Sequence, residues 1–134
     1  MRAVSFTGSA AVGARVAATA AQRNIRYQTE MGGKNAAIVL ADADLDRAVA
    51  ECFLSAFQTT GQRCTSTSRL ILDEPIAGPF VERFAGLARR ARIGHGTDPE
   101  TFLGPLATDR AMEKFLSFRE IARLEGAEAV LPAS

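Results

Sequence analysis

The sequence predicts an α/β fold, a three-layer sandwich in which a mainly parallel sheet lies between helices. Three observations predict it. Short apolar runs of strand length alternate with amphipathic runs of helix length; the joints are rich in Gly, Asp and Pro; and the run at 35–40 has the continuous apolar character of a parallel strand. At 134 residues the chain is long enough for one packed core and too short to hold both a dinucleotide-binding domain and a second substrate domain.

Taken in order, residues 3–6 form a short strand, 7–9 a turn and 10–23 an Ala-rich helix. Residues 25–30 run extended until Gly32-Gly33 interrupts them, and 35–40 form a second strand whose composition implies burial on both faces. Asp42 or Asp44 caps the next helix, in which Leu45, Val49, Cys52, Phe53, Ala56 and Phe57 recur at three- and four-residue spacing before Gly61 ends it. A strand at 68–72 leads into a helix over about 75–92, with Pro75 in its first turn. A loop over 94–104, a helix over 108–124 and a final strand at 129–131 complete the chain.

Composition narrows the function. Hydrophobic residues make up 47% and charged residues 23%, the balance of a globular protein. With 16 basic and 15 acidic residues interspersed, the net charge of +1 provides no field for nucleic acid or an anionic membrane. No apolar run approaches the roughly 20 residues that span a bilayer. Two cysteines and no basic-then-apolar leader point to the cytoplasm and away from a disulfide framework. No metal site is expected.

Three clusters are candidates for chemistry. Thr7-Gly8-Ser9-Ala10-Ala11-Val12-Gly13 joins a strand to a helix, where backbone N–H groups and the helix N-terminus suit an anion; a tight turn with a capping serine explains the same residues. Glu30-Met31-Gly32-Gly33-Lys34-Asn35 sets one carboxylate among glycines between extended segments, either as a general base or as a surface glutamate paired with Lys34 or solvent. Thr60-Gly61-Gln62-Arg63-Cys64-Thr65 places a thiol beside a guanidinium in a polar turn, either as a nucleophile or as an inert loop cysteine. Cys52, on an apolar helical stripe, reads as a packing residue, and His95, in a Gly-rich loop, as a solvated histidine.

Together the clusters resemble the aldehyde dehydrogenase superfamily along nearly the whole chain. Val4-Ser5-Phe6-Thr7-Gly8-Ser9 is similar to the family's cofactor turn, the Glu30–Asn35 run to its glutamate motif and Gly61-Gln62-Arg63-Cys64-Thr65 to its cysteine motif. The interval from Glu30 to Cys64, 64 − 30 = 34 residues, is also the family's usual one. Asp42-Ala43-Asp44-Leu45-Asp46 and Leu103-Gly104-Pro105-Leu106 resemble two further family signatures. The overall look is nearest to 2-oxoglutarate semialdehyde dehydrogenases.

This resemblance implies oxidation of a small aldehyde, with a semialdehyde acid as one candidate, to a carboxylic acid with NAD or NADP. Cys64 would be the nucleophile and Glu30 the base for hydrolysis. Gly8, Ser9, Gly13 and Gly32 would lie at the cofactor, and Arg63 would hold an anionic substrate tail. Thr29, Ala10 and Ser66 depart from the family pattern without removing a reacting group. Acyl transfer to coenzyme A in place of water is disfavoured by the presence of Glu30.

The resemblance covers only the middle of the family's subunit. Residues 1–31 would be the C-terminal end of the dinucleotide-binding domain and 32–134 the N-terminal part of the catalytic domain. As a fragment the chain would be inactive in isolation, while the intact enzyme would be a homo-oligomer. The competing reading is a non-catalytic module of the same fold.

Overall fold

A computed structural model of the chain describes residues 1–131. The elements are β1 (Ala3–Gly8), α1 (Ala10–Gln22), β2 (Arg26–Met31), β3 (Asn35–Val39), α2 (Leu45–Phe57), β4 (Thr67–Leu72), α3 (Glu74–Arg90) and α4 (Asp109–Leu124). Helices and parallel strands alternate as the patterning predicts. The strands form two parallel pairs, β1 with β2 and β3 with β4. The break between the pairs falls at residues 32–34, where two glycines follow β2.

Three of the four helices begin where a short oxygen-bearing side chain takes up a free amide. Ser9 caps α1, Asp44 rather than Asp42 caps α2, and Thr108 caps α4. Asp73 precedes α3 but turns its carboxylate elsewhere, accepting a hydrogen bond from the Ala41 N–H at 3.3 Å, so it ties the ends of β3 and β4 together. Pro79 lies inside α3, where it removes one helical hydrogen bond. The adjacent Phe80 is wholly buried, and that packing outweighs the local cost.

The core sits on one face of β3–β4. Val39, Val49, Cys52 and Phe80 are its centre, with Ala37, Leu45, Leu70, Leu72, Ile76 and Phe84 packed around them. Phe53 extends it, its ring centroid 5.0 Å from Phe57, 5.2 Å from Phe102 and 5.6 Å from Phe84. The opposite face carries no helix among the described residues. Within the apolar run at 35–40, Ala37 and Val39 are therefore covered, while Ile38 remains 68% exposed beside Ile71 at 52%.

The strand expected at 129–131 does not form. After α4 the chain turns at Gly126, whose φ is +78°, and then runs irregularly. Val130 and Leu131 instead line an apolar cleft with Leu70, Leu72, Phe80 and Phe84. Among the described residues no helix is long and apolar enough to cross a membrane.

These two faces predict opposite responses to substitution. Phe80→Ala should cost about 3–5 kcal/mol in chemical denaturation, the loss typical of a buried aromatic. Ile38→Thr, on the open face, should cost less than about 0.5 kcal/mol in this chain. A comparable loss for both would mean that the open face is covered in solution.

Candidate active site

The Gly8-Ser9 turn links β1 to α1. Ser9 Oγ accepts a hydrogen bond from the Val12 N–H at 3.4 Å, and the Ser9 carbonyl accepts from the Gly13 N–H at 2.9 Å. No acidic residue occupies the first turn, so the positive end of the helix dipole is left uncompensated and Ala10 to Val12 are exposed. Gly13 is buried, and a Cβ there would come within 2.5 Å of Met31 Sδ, so a larger residue would make the Met31 side chain move. Gly32 has open space around it.

Parallel pairing places Thr7 opposite Glu30 and Gly8 opposite Met31, so the glutamate segment ends alongside the turn. Glu30 is exposed, and its Oε1 accepts a hydrogen bond from Gln28 Nε2 at 3.2 Å. Lys34 forms no ion pair with it among the described residues. The Lys34 ammonium instead lies 5.5 Å from the centre of the Phe118 ring.

Cys64 lies in a turn between α2 and β4 and is exposed. The chain reaches it through a tight 3-10 turn, Gln58–Gly61, in which Thr59, Thr60 and Gly61 have φ of 58°, 54° and 67°. Three consecutive left-handed residues reverse the path out of α2, and two of them are β-branched, which that region disfavours.

The turn beyond is held by side chains. Ser66, buried, accepts from the Arg63 N–H through its Oγ at 3.3 Å. Gln62 Oε1 accepts from the Ala107 N–H at 3.0 Å, which attaches the 103–107 segment to the cysteine turn. Asn35 Nδ2 donates to the Cys64 carbonyl at 2.6 Å and to the Ser66 carbonyl at 3.1 Å. The structure thus brings the glutamate motif's last residue to the cysteine motif.

Arg63 points its guanidinium along the surface, donating to Gln58 Oε1 at 3.4 Å, and has no carboxylate partner among the described residues. Cys52 packs in the core, and desolvation, with Glu51 adding to it, pushes its thiol above the usual range and keeps it protonated. His95 is exposed and bonded only locally, its Nδ1 lying 2.8 Å from Thr97 Oγ1. The bracing roles of Asn35, Gln62 and Ser66 have no local sequence signal. Only the hydrogen-bonded pairing of distant segments reveals them.

The aldehyde dehydrogenase family model matches residues 1–134. The chain belongs to the aldehyde dehydrogenase family. It is 38% identical over 131 residues to the alpha-ketoglutaric semialdehyde dehydrogenase of Bacillus subtilis, a match covering 98% of this chain and 27% of that protein. It is 40% identical over 134 residues to the malonate-semialdehyde dehydrogenase of Lacticaseibacillus casei, covering 100% and 27% respectively. The crystal structure of betaine aldehyde dehydrogenase from Staphylococcus aureus in complex with NAD+ superposes with a TM-score of 0.94 at 29% identity, over 98% of this chain and 26% of that one. The chain spans about a quarter of the length of the relatives it matches.

The left-handed turn before Cys64 supplies a test on this family member alone. Thr59→Asn replaces a β-branched residue by one that tolerates positive φ, and should raise stability by about 1 kcal/mol in urea denaturation. A loss of stability would show that the Thr59 side chain makes a contact that outweighs the relieved strain.

Proposed function

We propose that this chain is the central segment of an NAD- or NADP-dependent aldehyde dehydrogenase subunit, with Cys64 as the nucleophile and Glu30 as the base that activates the hydrolytic water. The observation that carries the reading is the bond from Asn35 to the Cys64 carbonyl, which joins an exposed thiol to the strand that continues the Glu30 segment. The cofactor-domain end would be residues 1–31 and the catalytic-domain start 32–134, a division supported by the change of sheet at Gly32-Gly33.

The residues at the α1 N-terminus fit a pyrophosphate: exposed first-turn residues at a helix N-terminus, a serine cap and no acidic residue in the first turn. Gly8 and Ser9 would hold it, Gly13 would let the helix sit close beneath, and Gly32 would leave room on the nicotinamide side. Bound there, NAD or NADP would take the hydride from the substrate carbon, a role that no side chain can fill.

The remaining chemistry belongs to the chain's own residues. Cys64 Sγ, as thiolate, bonds to the aldehyde carbon while the carbonyl π pair moves to oxygen, and the Cys64 N–H is the donor available to that oxyanion. Once the carbon is oxidised, Cys64 carries a thioester. Glu30 removes a proton from water as the water oxygen adds to the thioester carbonyl; collapse expels the Cys64 thiolate and releases the acid.

Substrate class rests on Arg63. Its exposed guanidinium, one residue before the nucleophile and without a carboxylate partner among the described residues, can clamp a carboxylate in bidentate fashion. The semialdehyde dehydrogenases named among the relatives support an aldehyde with an acid tail.

In the intact enzyme, Cys64→Ala should abolish oxidation, whereas Glu30→Gln should allow one burst of reduced cofactor and then stall at the thioester. Normal steady-state activity without Cys64, or no burst without Glu30, would overturn the assignments. Arg63→Ala should raise KM for a semialdehyde acid by about 1.5–3 kcal/mol in free-energy terms, the range of a charge-assisted hydrogen bond, with little change for an uncharged aldehyde of similar length. Equal effects on both substrates would remove Arg63 from recognition.

A further inference from the structure

We infer that Asn35 is the positioning residue of Cys64: its carboxamide gathers the carbonyls of Cys64 and Ser66 and thereby sets the path of the turn that presents the thiol. The inference rests on Cys64 being the nucleophile, and it concerns a residue that touches neither sulfur nor substrate.

The geometry is specific. Asn35 is the first residue of β3 and pairs with Thr67, the first residue of β4; the register then shifts between Asn35 and Ala36. Residues 62–66 precede the ladder and have no strand partner of their own. Within the turn the Arg63 carbonyl accepts from the Ser66 N–H at 3.2 Å, while the carbonyls of Cys64 and Ser66 are met by a side chain from β3. Asn35 Nδ2 has two hydrogens, and it lies 2.6 Å from one carbonyl oxygen and 3.1 Å from the other. The Asn35 backbone is itself held, since its carbonyl accepts from Ser68 Oγ at 3.2 Å. The donor is therefore anchored to the sheet, and only the turn is left to follow it.

Residue chemistry at position 35 is correspondingly narrow. Asp has the same shape but, ionised, offers no donor and sets a carboxylate against two carbonyl oxygens. Ser offers one donor on a shorter arm. Ala offers none. A residue that served packing alone would not discriminate Asn from Asp in this way.

The test uses the intact enzyme, with hydrogen exchange read by mass spectrometry beside steady-state kinetics. Asn35→Ala and Asn35→Asp, which lose both carbonyl contacts, should speed exchange of the 62–66 amides at least about tenfold, while α2 and α3 keep their wild-type rates. In both variants kcat should fall at least about tenfold with KM within about twofold, since orientation of the thiol is lost and substrate binding is not. Asn35→Ser should recover part of both. Should the variants fail to fold, slow exchange of the Asn35 side-chain amide protons in the unaltered protein, followed by NMR, reports the same clamp. Uniform acceleration across all helices, an unchanged kcat, or side-chain amide exchange at the free rate would overturn the inference. Full turnover in a Cys64→Ala variant would instead sink the nucleophile reading, and the exchange data would still report whether the clamp exists.

Discussion

The arrangement depends on the parallel pairing of β3 with β4. Parallel strands joined by a crossover helix must both start at the same edge of the sheet, so α2 returns the chain to the edge where β3 began. Because the pairing starts at Asn35 and Thr67, the residues immediately before each strand meet there. Asn35, the last residue of the glutamate motif, there meets the carbonyls of Cys64 and Ser66 in the cysteine turn. Segments some thirty positions apart become neighbours through topology, and the burial of Val39, Leu70 and Leu72 beneath α2 and α3 keeps the register.

Local conformational cost is concentrated near the same edge. The path out of α2 uses three left-handed residues, including two threonines, to deliver the chain to the cysteine turn. That cost persists because the turn is braced from three directions, by Asn35, by Ser66 and by the 103–107 segment through Gln62. At the other end of the proposed site, Gly13 lies against the Met31 side chain, and the first turn of the helix is exposed beside the end of β2. Backbone constraint, more than side-chain charge, shapes both halves.

Much of this was legible in the sequence, and the reasons are particular. The alternation of apolar runs located eight elements because helical and extended periodicities differ, and the caps at Ser9, Asp44 and Thr108 stand where side-chain oxygens precede apolar stripes. Cys52 was separable from Cys64 because one sits on a helical stripe and the other does not. The final strand was misread because Val130 and Leu131 have strand composition, yet the described residues give them an apolar cleft and no ladder. The open face bearing Ile38 and Ile71 was illegible for a related reason: continuous apolar composition signals burial on both faces, but coverage depends on which elements the described residues supply. Asn35 lay inside a recognised motif, and its role was hidden because a hydrogen bond to residue 64 has no periodicity to betray it.

If Cys64 carries the acyl group through the reaction, acid-quenched peptide mass spectrometry of the intact enzyme, after mixing with a semialdehyde acid and oxidised cofactor, should find it there. The expected result is an adduct of the substrate's acyl mass on the Cys64 peptide, labile to hydroxylamine as a thioester is, and none on the Cys52 peptide. An acyl adduct on a different residue, or turnover without any adduct on Cys64 at the shortest quench times in a Glu30→Gln background, would contradict it.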